Sequence, residues 1–374
     1  MKQDNTKEGA FSKENSLAIK GIAILMMMWH HCFLSGRFEE YTIDFRPLSE
    51  RQIINVAVFC KVCVSLFVFV SGYGLYYTWL KAQKNNQSES QWICEKLIRT
   101  LSNYWFIVVP SWLVCTILDN RPYHVYGFEN SKLMGVWNMV IEFLGLTNLV
   151  GGTQLNGTWW YMSAAVAFIV LLPLIIKCFE KVGCFCTLSV ILILPRISFG
   201  YPGDTNFYSF LPIFCIGMIF ARYDLFARWN RFWGSKPIYI RVLKFFLCAA
   251  SLLISYKLSY HMKAKLWWDV KWNLFPILII IFAYDYLCRV PFLSKPLIVL
   301  GKHATNIFLI HTFIRAIYCK PFVYGRGHFV FVLGTILITS LVLSIVIEGL
   351  KRVIHYEVWI NKLLSISDKL MLIG

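Results

Sequence analysis

Runs of about twenty apolar residues, separated by short polar connections, recur along almost the whole of this 374-residue chain. That pattern excludes most folds. A helix rises ~1.5 Å per residue, so some twenty residues cross the ~30 Å hydrocarbon core of a bilayer. Inside lipid every backbone polar group must be satisfied within the structure, so such runs read as membrane-spanning helices. Composition agrees, at 57% hydrophobic, 17% aromatic and only 15% charged, where an ordinary soluble domain carries about 25% charged residues. The expected fold is all-α: a polytopic integral membrane protein of about ten transmembrane helices with no soluble domain.

The connections divide the chain. Residues 1–15 read as a cytoplasmic N-terminal tail, 16–349 as the transmembrane domain and 350–374 as a basic cytoplasmic tail. The stretch from 119 to 158 is the longest connection. Its middle, GVWNMVIEFLGLTNLV, is apolar but short for a crossing, so it is expected to be interfacial or re-entrant. The net charge of +17 raises nucleic acid as a partner, but its distribution points elsewhere. With connections assigned alternately to two sides, those on the N-terminal side hold the basic excess and those opposite nearly balance. This is the bias of a cytoplasmic N-terminus, with Lys and Arg lying against anionic headgroups. The expected partner is membrane lipid and not nucleic acid. The expected location is the cell (cytoplasmic) membrane, multi-pass, with both termini cytoplasmic. No small-residue cleavage site follows the first span, which is expected to remain as an anchor. Most of the twelve cysteines sit in apolar runs, and Cys60 and Cys63 form a C-x-x-C with no second pair. Packing is therefore expected of them, and no metal site.

The first span, Ser16–Leu34, reads SLAIKGIAILMMMWHHCFL. Ionisable side chains in a span are costly and are retained where they pair, line a cavity or do chemistry. Lys20 and His31 are eleven residues apart, close to three turns at ~3.6 residues each, so both project from nearly one face, roughly 16 Å apart. His30 is rotated by ~100° from that line. The ninth span, LIVLGKHATNIFLIHTFIRAIYC, repeats the theme with Lys302 and His303 at its start and His311 and Arg315 deeper. Histidine exchanges a proton near neutral pH and suits a base that activates an alcohol. A lysine nearer the cytoplasm suits an anionic group such as the phosphates of a cofactor.

Three other places carry two readings each. Lys96 and Arg99 share a helix face at the entrance to the third span, as positive-inside anchors or as a phosphate grip. Ser71-Gly72-Tyr73 marks close helix packing or a polar break that lines a cavity. Trp159, Trp160 and Tyr161 form an aromatic belt or a platform on which sugars stack. No Walker loop, dinucleotide fingerprint, H-E-x-x-H or G-x-S-x-G is present, so ATP-driven transport, nucleotide redox chemistry, zincin proteolysis and α/β-hydrolase chemistry lack support.

At these residues the chain resembles the bacterial membrane acyltransferase family 3, ten-span O-acyltransferases that decorate cell-surface and secreted glycans. The family's basic residue, ten residues and histidine of the first span correspond to Lys20 and His31 in KGIAILMMMWHH. FVSGYGLYY resembles its second-span phrase, Lys96 and Arg99 its basic-x-x-basic pair, Trp160-Tyr161-Met162-Ser163 its W-[FY]-L-S phrase, and GKHATNIFLIH its ninth-span phrase. Where many members have a glutamate soon after W-[FY]-L-S, this chain has Ala164-Ala165, so no carboxylate role is carried over there. The resemblance implies a cytoplasmic acyl-CoA donor, commonly acetyl-CoA, and a hydroxyl of a surface polysaccharide or its lipid-linked precursor as acceptor. It implies His31 as base or transient acyl carrier, Lys20 beside the donor, and His311 as a supporting or acceptor-side group. Lys96, Arg99 and Lys302 would contact the donor's phosphates, and Ser71, Tyr73, Trp159 and Trp160 the acceptor. The alternative from the same residues is a transporter or flippase of a lipid-linked sugar.

Overall fold

The computed structural model describes residues 11–198, 205–261 and 268–371. It is helical; among the described residues the β contacts amount to an isolated bridge between Asp44 and His328. The helices are α1 (Lys13–Phe33), α2 (Glu50–Cys60), α3 (Cys63–Lys84), α4 (Glu89–Asp119), α5 (Lys132–Phe143), α6 (Trp160–Lys181) and α7 (Cys184–Ser198). They continue with α8 (Phe207–Arg222), α9 (Leu225–Gly234), α10 (Ile238–His261), α11 (Phe275–Phe282) between two π-helical turns, α12 (Pro291–Lys302), α13 (Ala304–Thr312), α14 (Phe329–Val353) and α15 (Tyr356–Met371). Among the described residues, seven helices are long and apolar enough to cross a membrane, with α2 and α3 taken as one. The number is nine when the bent pairs α8 with α9 and α12 with α13 each count as a span, and α7 is apolar but shorter.

Helix starts follow capping chemistry more than hydropathy. Ser12 accepts from the Asn15 amide and starts α1, while Ser49 with Gln52 and Ser88 with Gln91 form capping boxes at α2 and α4. The connection between α3 and α4 is therefore short, because α3 runs to Lys84 and α4 begins at Glu89. The ninth span, expected to be continuous, starts at Pro291 and breaks at His303. The expected C-terminal tail is mostly helical, through the end of α14 and through α15. Residues 1–10 and 372–374 of the two expected tails lie outside the described residues.

Packing divides the chain into two compact units. The first comprises Met1–Tyr76, Pro212–Thr305 and Tyr318–Leu341. Its core has two reciprocal glycine crossings. A Cβ on Gly21 would lie 2.1 Å from the Leu297 carbonyl oxygen, and one on Gly301 would lie 1.9 Å from that of Leu17. α1 and α12 thus meet backbone to backbone, which only glycine permits. Gly72 and Gly217 repeat the arrangement between α3 and α8, against the Phe214 and Phe69 carbonyl oxygens at 2.2 and 2.3 Å. In lipid, where burying apolar side chains gains little, such small-residue contacts hold helices together. Two indole and imidazole bonds tie α1 to α2: Trp29 Nε1 donates to Ile53 O at 3.2 Å, and His30 Nδ1 to Ala57 O at 2.8 Å. Asp285, in the π-helical turn after α11, takes Lys244 Nζ and Trp229 Nε1, both at 2.8 Å, and so joins α9 and α10 to it.

The second unit comprises Tyr77–Leu211, Asn306–Ile317 and Val342–Gly374. Here α5 is the helix expected to be interfacial or re-entrant. It shows an apolar outer face of Leu133, Val136, Trp137 and Val140 and buries Asn138, Ile141 and Glu142 on the other.

Candidate functional site

In the first unit, α1 carries Lys20 and His31 as the spacing predicted. Lys20 is half-buried and makes no hydrogen bond or ion pair to any described residue; the charge that acts on it is Lys13, two turns earlier on the same helix. His31 is half-buried, and Arg37 Nη1 lies 2.8 Å from its Nδ1 and 3.1 Å from its backbone oxygen. A guanidinium has no acceptor atom, so His31 Nδ1 accepts, which places the proton of the neutral ring on Nε2. Arg37 reaches back because Gly36 turns the chain with a φ of 82°, and Glu39 holds that turn through the Gly36 amide at 2.8 Å and the Ser35 hydroxyl at 3.1 Å. Arg37 was not singled out from the sequence. Its signal was the Ser-Gly turn directly after a histidine-bearing span.

His30 differs from its neighbour. It is 6% exposed, and its Nδ1–H is committed to Ala57 O. The one-residue offset of about 100° thus separates a packing histidine from one held by a side chain.

The other predicted residues of this unit divide similarly. Gly72 makes the close crossing described above, so at Ser71-Gly72-Tyr73 the close-packing reading has a physical basis. Tyr73 is 4% exposed and meets Phe11 edge-on, with ring centroids 5.0 Å apart, and Ser71 is half-buried. Lys302 is exposed at the end of α12.

In the second unit, His311 is fully buried near the end of α13. Its Nδ1 lies 2.9 Å from Phe308 O and 3.2 Å from Ile307 O, so Nδ1 carries the proton, and Nε2 lies 3.3 Å from the Thr312 hydroxyl. His311 thus has a donating Nδ1 where that of His31 accepts. The helix that carries it is fixed from outside. Leu309 O accepts from Trp159 Nε1 at 2.9 Å and from Asn156 Nδ2 at 3.1 Å.

Trp159 is thereby accounted for. It is 2% exposed, edge-on to Tyr104 and Phe313, and has no open face on which a sugar would stack. Trp160 is half-buried and stacks on Phe210. The loop holding Asn156 and Trp159 is itself anchored by Glu142. This carboxylate accepts from the Leu155 amide at 2.6 Å, from Trp112 Nε1 at 3.0 Å and from the Tyr126 hydroxyl. Burial pushes the Glu142 carboxyl above its ordinary range, and burial together with Glu142 pushes the Tyr126 hydroxyl far up, keeping it a donor. Glu142 was also missed; an acid inside the apolar run VIEFLGL was its signal.

Lys96 and Arg99 meet on one carboxylate oxygen, Glu95 Oε1. Lys96 pairs with Glu95 at 3.3 Å and lies 6.0 Å from the Trp92 ring. Arg99 shares Glu95 at 3.1 Å but reaches on into a cleft of about 680 Å³ beside Asn103, Lys351 and His355. Among the described residues, no three His, Cys, Asp or Glu side chains gather at metal-binding range.

Helices of membrane-crossing length, with a lysine that has no ion-pair partner among the described residues and a side-chain-held histidine on one span, define a polytopic membrane protein with ionisable groups inside its spans. The family model for the acyltransferase domain of family 3 matches residues 18–348, and the chain belongs to that family; it is a membrane acyltransferase. No curated protein and no solved structure matches the chain.

Proposed function

We propose that this protein is an O-acetyltransferase of the cell membrane. It takes the acyl group from acetyl-CoA on the cytoplasmic side and transfers it to a hydroxyl of a surface polysaccharide or its lipid-linked precursor. The observation that carries the reading is α1 itself: a lysine without an acidic partner among the described residues and, eleven residues on, an imidazole held by Arg37. An unpaired cation within a span is costly, and the phosphates of the donor would supply the missing charge. Both termini are cytoplasmic in this reading, as the distribution of Lys and Arg supports.

His31 serves as the base. Arg37 occupies its Nδ1 at rest, so Arg37 withdraws before the ring accepts a proton. The acceptor O–H then gives its proton to Nδ1 while the oxygen attacks the thioester carbonyl carbon. The C–S bond breaks, and the proton passes to the departing thiolate, leaving CoA–SH, an ester and a neutral His31. Lys20 neutralises donor phosphate, and Lys96, Arg99 and Lys302 are further cations proposed to contact the donor. His311 supports the acceptor, and Trp160 and Ser71 are further proposed acceptor contacts.

The reading is tested by acetyl transfer to membrane glycan in cells making His31→Ala or Lys20→Ala protein at normal abundance. Loss of transfer is expected from both, and glycan mass spectra with and without the gene would identify the modified sugar. Undiminished transfer in both variants would sink the assignment. Membership of an acyltransferase family leaves the transporter reading without an observation in its favour.

A further inference from the structure

The cleft that Arg99 enters is built within the second unit from three helices. Ser102 and Asn103 come from α4, Lys351 and Arg352 from the end of α14, and His355 and Tyr356 from the start of α15. At about 680 Å³ it falls within the range of about 300–1,000 Å³ usual for small-molecule sites. Two of its cations are held in place. Lys351 is buried, with its ammonium on Glu348 at 2.7 Å and on Asn103, and Arg99 lies between Glu95 and Glu357. Arg352 is exposed and has no side-chain partner among the described residues.

The turn between α14 and α15 adds a second observation. His355 has a φ of 52°, the left-handed region where a helix end ordinarily has glycine or asparagine. A side chain is kept where none is favoured, and it faces the cleft.

The lining also carries acceptors. Glu348 and Glu357 are joined by Asn103 and by Tyr356, whose hydroxyl lies 2.7 Å from Ser102 Oγ. A bare phosphate has no use for carboxylates beside it. A nucleotide does, because its phosphates need cations while its ribose hydroxyl and adenine amine need acceptors. One wall reaches the histidine helix as well: Glu348 accepts from Asn306 Nδ2 at 2.8 Å, five residues before His311, and Asn306 Oδ1 is a buried acceptor without a donor among the described residues.

We propose that this cleft seats the phosphorylated nucleotide end of the acyl donor, with Arg352 and His355 gripping phosphate beside Arg99. The inference rests on the acyl-CoA reading above and assigns to that donor a site at the α14–α15 junction.

The test uses full-length protein in nanodiscs, comparing wild type with Arg352→Ala and His355→Gly. Glycine suits the left-handed backbone, so the second variant removes the imidazole and keeps the turn. For each variant the KM for acetyl-CoA and the Kd for CoA should rise about tenfold, with kcat little changed, as expected for loss of binding shared by ground and transition states. With 3′-dephospho-CoA as probe, at least one variant should show a smaller penalty, identifying the phosphate it contacts. Unchanged KM and Kd in both variants, with normal wild-type transfer, would overturn the site alone. The same holds if native mass spectrometry finds an anionic phospholipid lost from the variants while CoA binding persists, since the cleft would then be a headgroup site. A wild type that neither binds CoA nor transfers from acetyl-CoA would remove the donor reading itself.

Discussion

Arg37 points its Nη1 at His31 Nδ1 from 2.8 Å, and this one contact decides which nitrogen of the imidazole carries the proton. It also separates two adjacent histidines by consequence. His31→Ala should lower acetyl transfer by about 10² to 10⁴, the usual contribution of a general base, at unchanged protein abundance. His30→Ala should instead lower abundance and thermal stability, because Ala57 O loses a buried donor, a loss of about 1–3 kcal/mol. Transfer and abundance measured for both variants check this; equal behaviour would refute the division of roles.

Arg37 is expected to hold His31 at rest without reacting. Arg37→Met removes the single Nη1 that reaches both His31 Nδ1 and the His31 backbone oxygen. Because this bond to Nδ1 must break before the ring takes a proton, kcat should rise, by roughly tenfold, with little change in donor KM, since a charge-assisted hydrogen bond contributes about 1.5–3 kcal/mol. A variant that alters only donor KM would place Arg37 with the donor instead.

The α1–α12 crossing yields a prediction about stability. Gly21→Ala and Gly301→Ala each place a Cβ about 2 Å from a backbone oxygen, which no rotamer relieves. The helices must separate, so each should destabilise by at least the ~1–3 kcal/mol of an overpacked core. Gly334, in α14, has no atom within 4 Å of the corresponding position. Gly334→Ala should therefore be neutral or mildly stabilising, and thermal unfolding of the purified variants compares the three.

What the sequence revealed follows a physical division. The spans and the shared face of Lys20 and His31 were legible because helix rise and period are properties of one segment. Gly21 was not, since its importance lies in the Leu297 carbonyl oxygen nearly three hundred residues away. Arg37 was missed because a turn, not a periodicity, returns it to the span. Trp159 was read as facing membrane or sugar, yet it is buried; an aromatic-rich phrase does not say which ring turns inward. Arg352 and His355 fell in an expected tail because hydropathy ends at α14 and is silent about the left-handed turn that folds α15 back onto α4.

Glu142 should give the protein a pH dependence of known sign. Burial raises its folded value above the ordinary carboxyl range, so its contribution to stability is fully present below the unfolded pKa of about 4.3 and is lost as pH rises through the folded value. Glu142→Gln cannot ionise and should lack this step. The difference in unfolding temperature between wild type and variant, followed upward from pH about 4, should therefore change in the variant's favour. A difference independent of pH would show that the three donors hold the carboxylate ionised throughout.

Lys20 combines the two kinds of effect. Within α1 it has no acidic partner among the described residues, and Lys13 repels it. Lys20→Met keeps the length of the side chain and removes the charge, which should stabilise the protein by up to about 3 kcal/mol, the cost of a central lysine in a span. The same change should raise the KM for acetyl-CoA by tenfold or more, because the donor's phosphates lose their counter-charge. A structural lysine would give the reverse pattern, with lower stability and unaltered KM. Unfolding temperature and donor KM, measured on one preparation, separate the two roles.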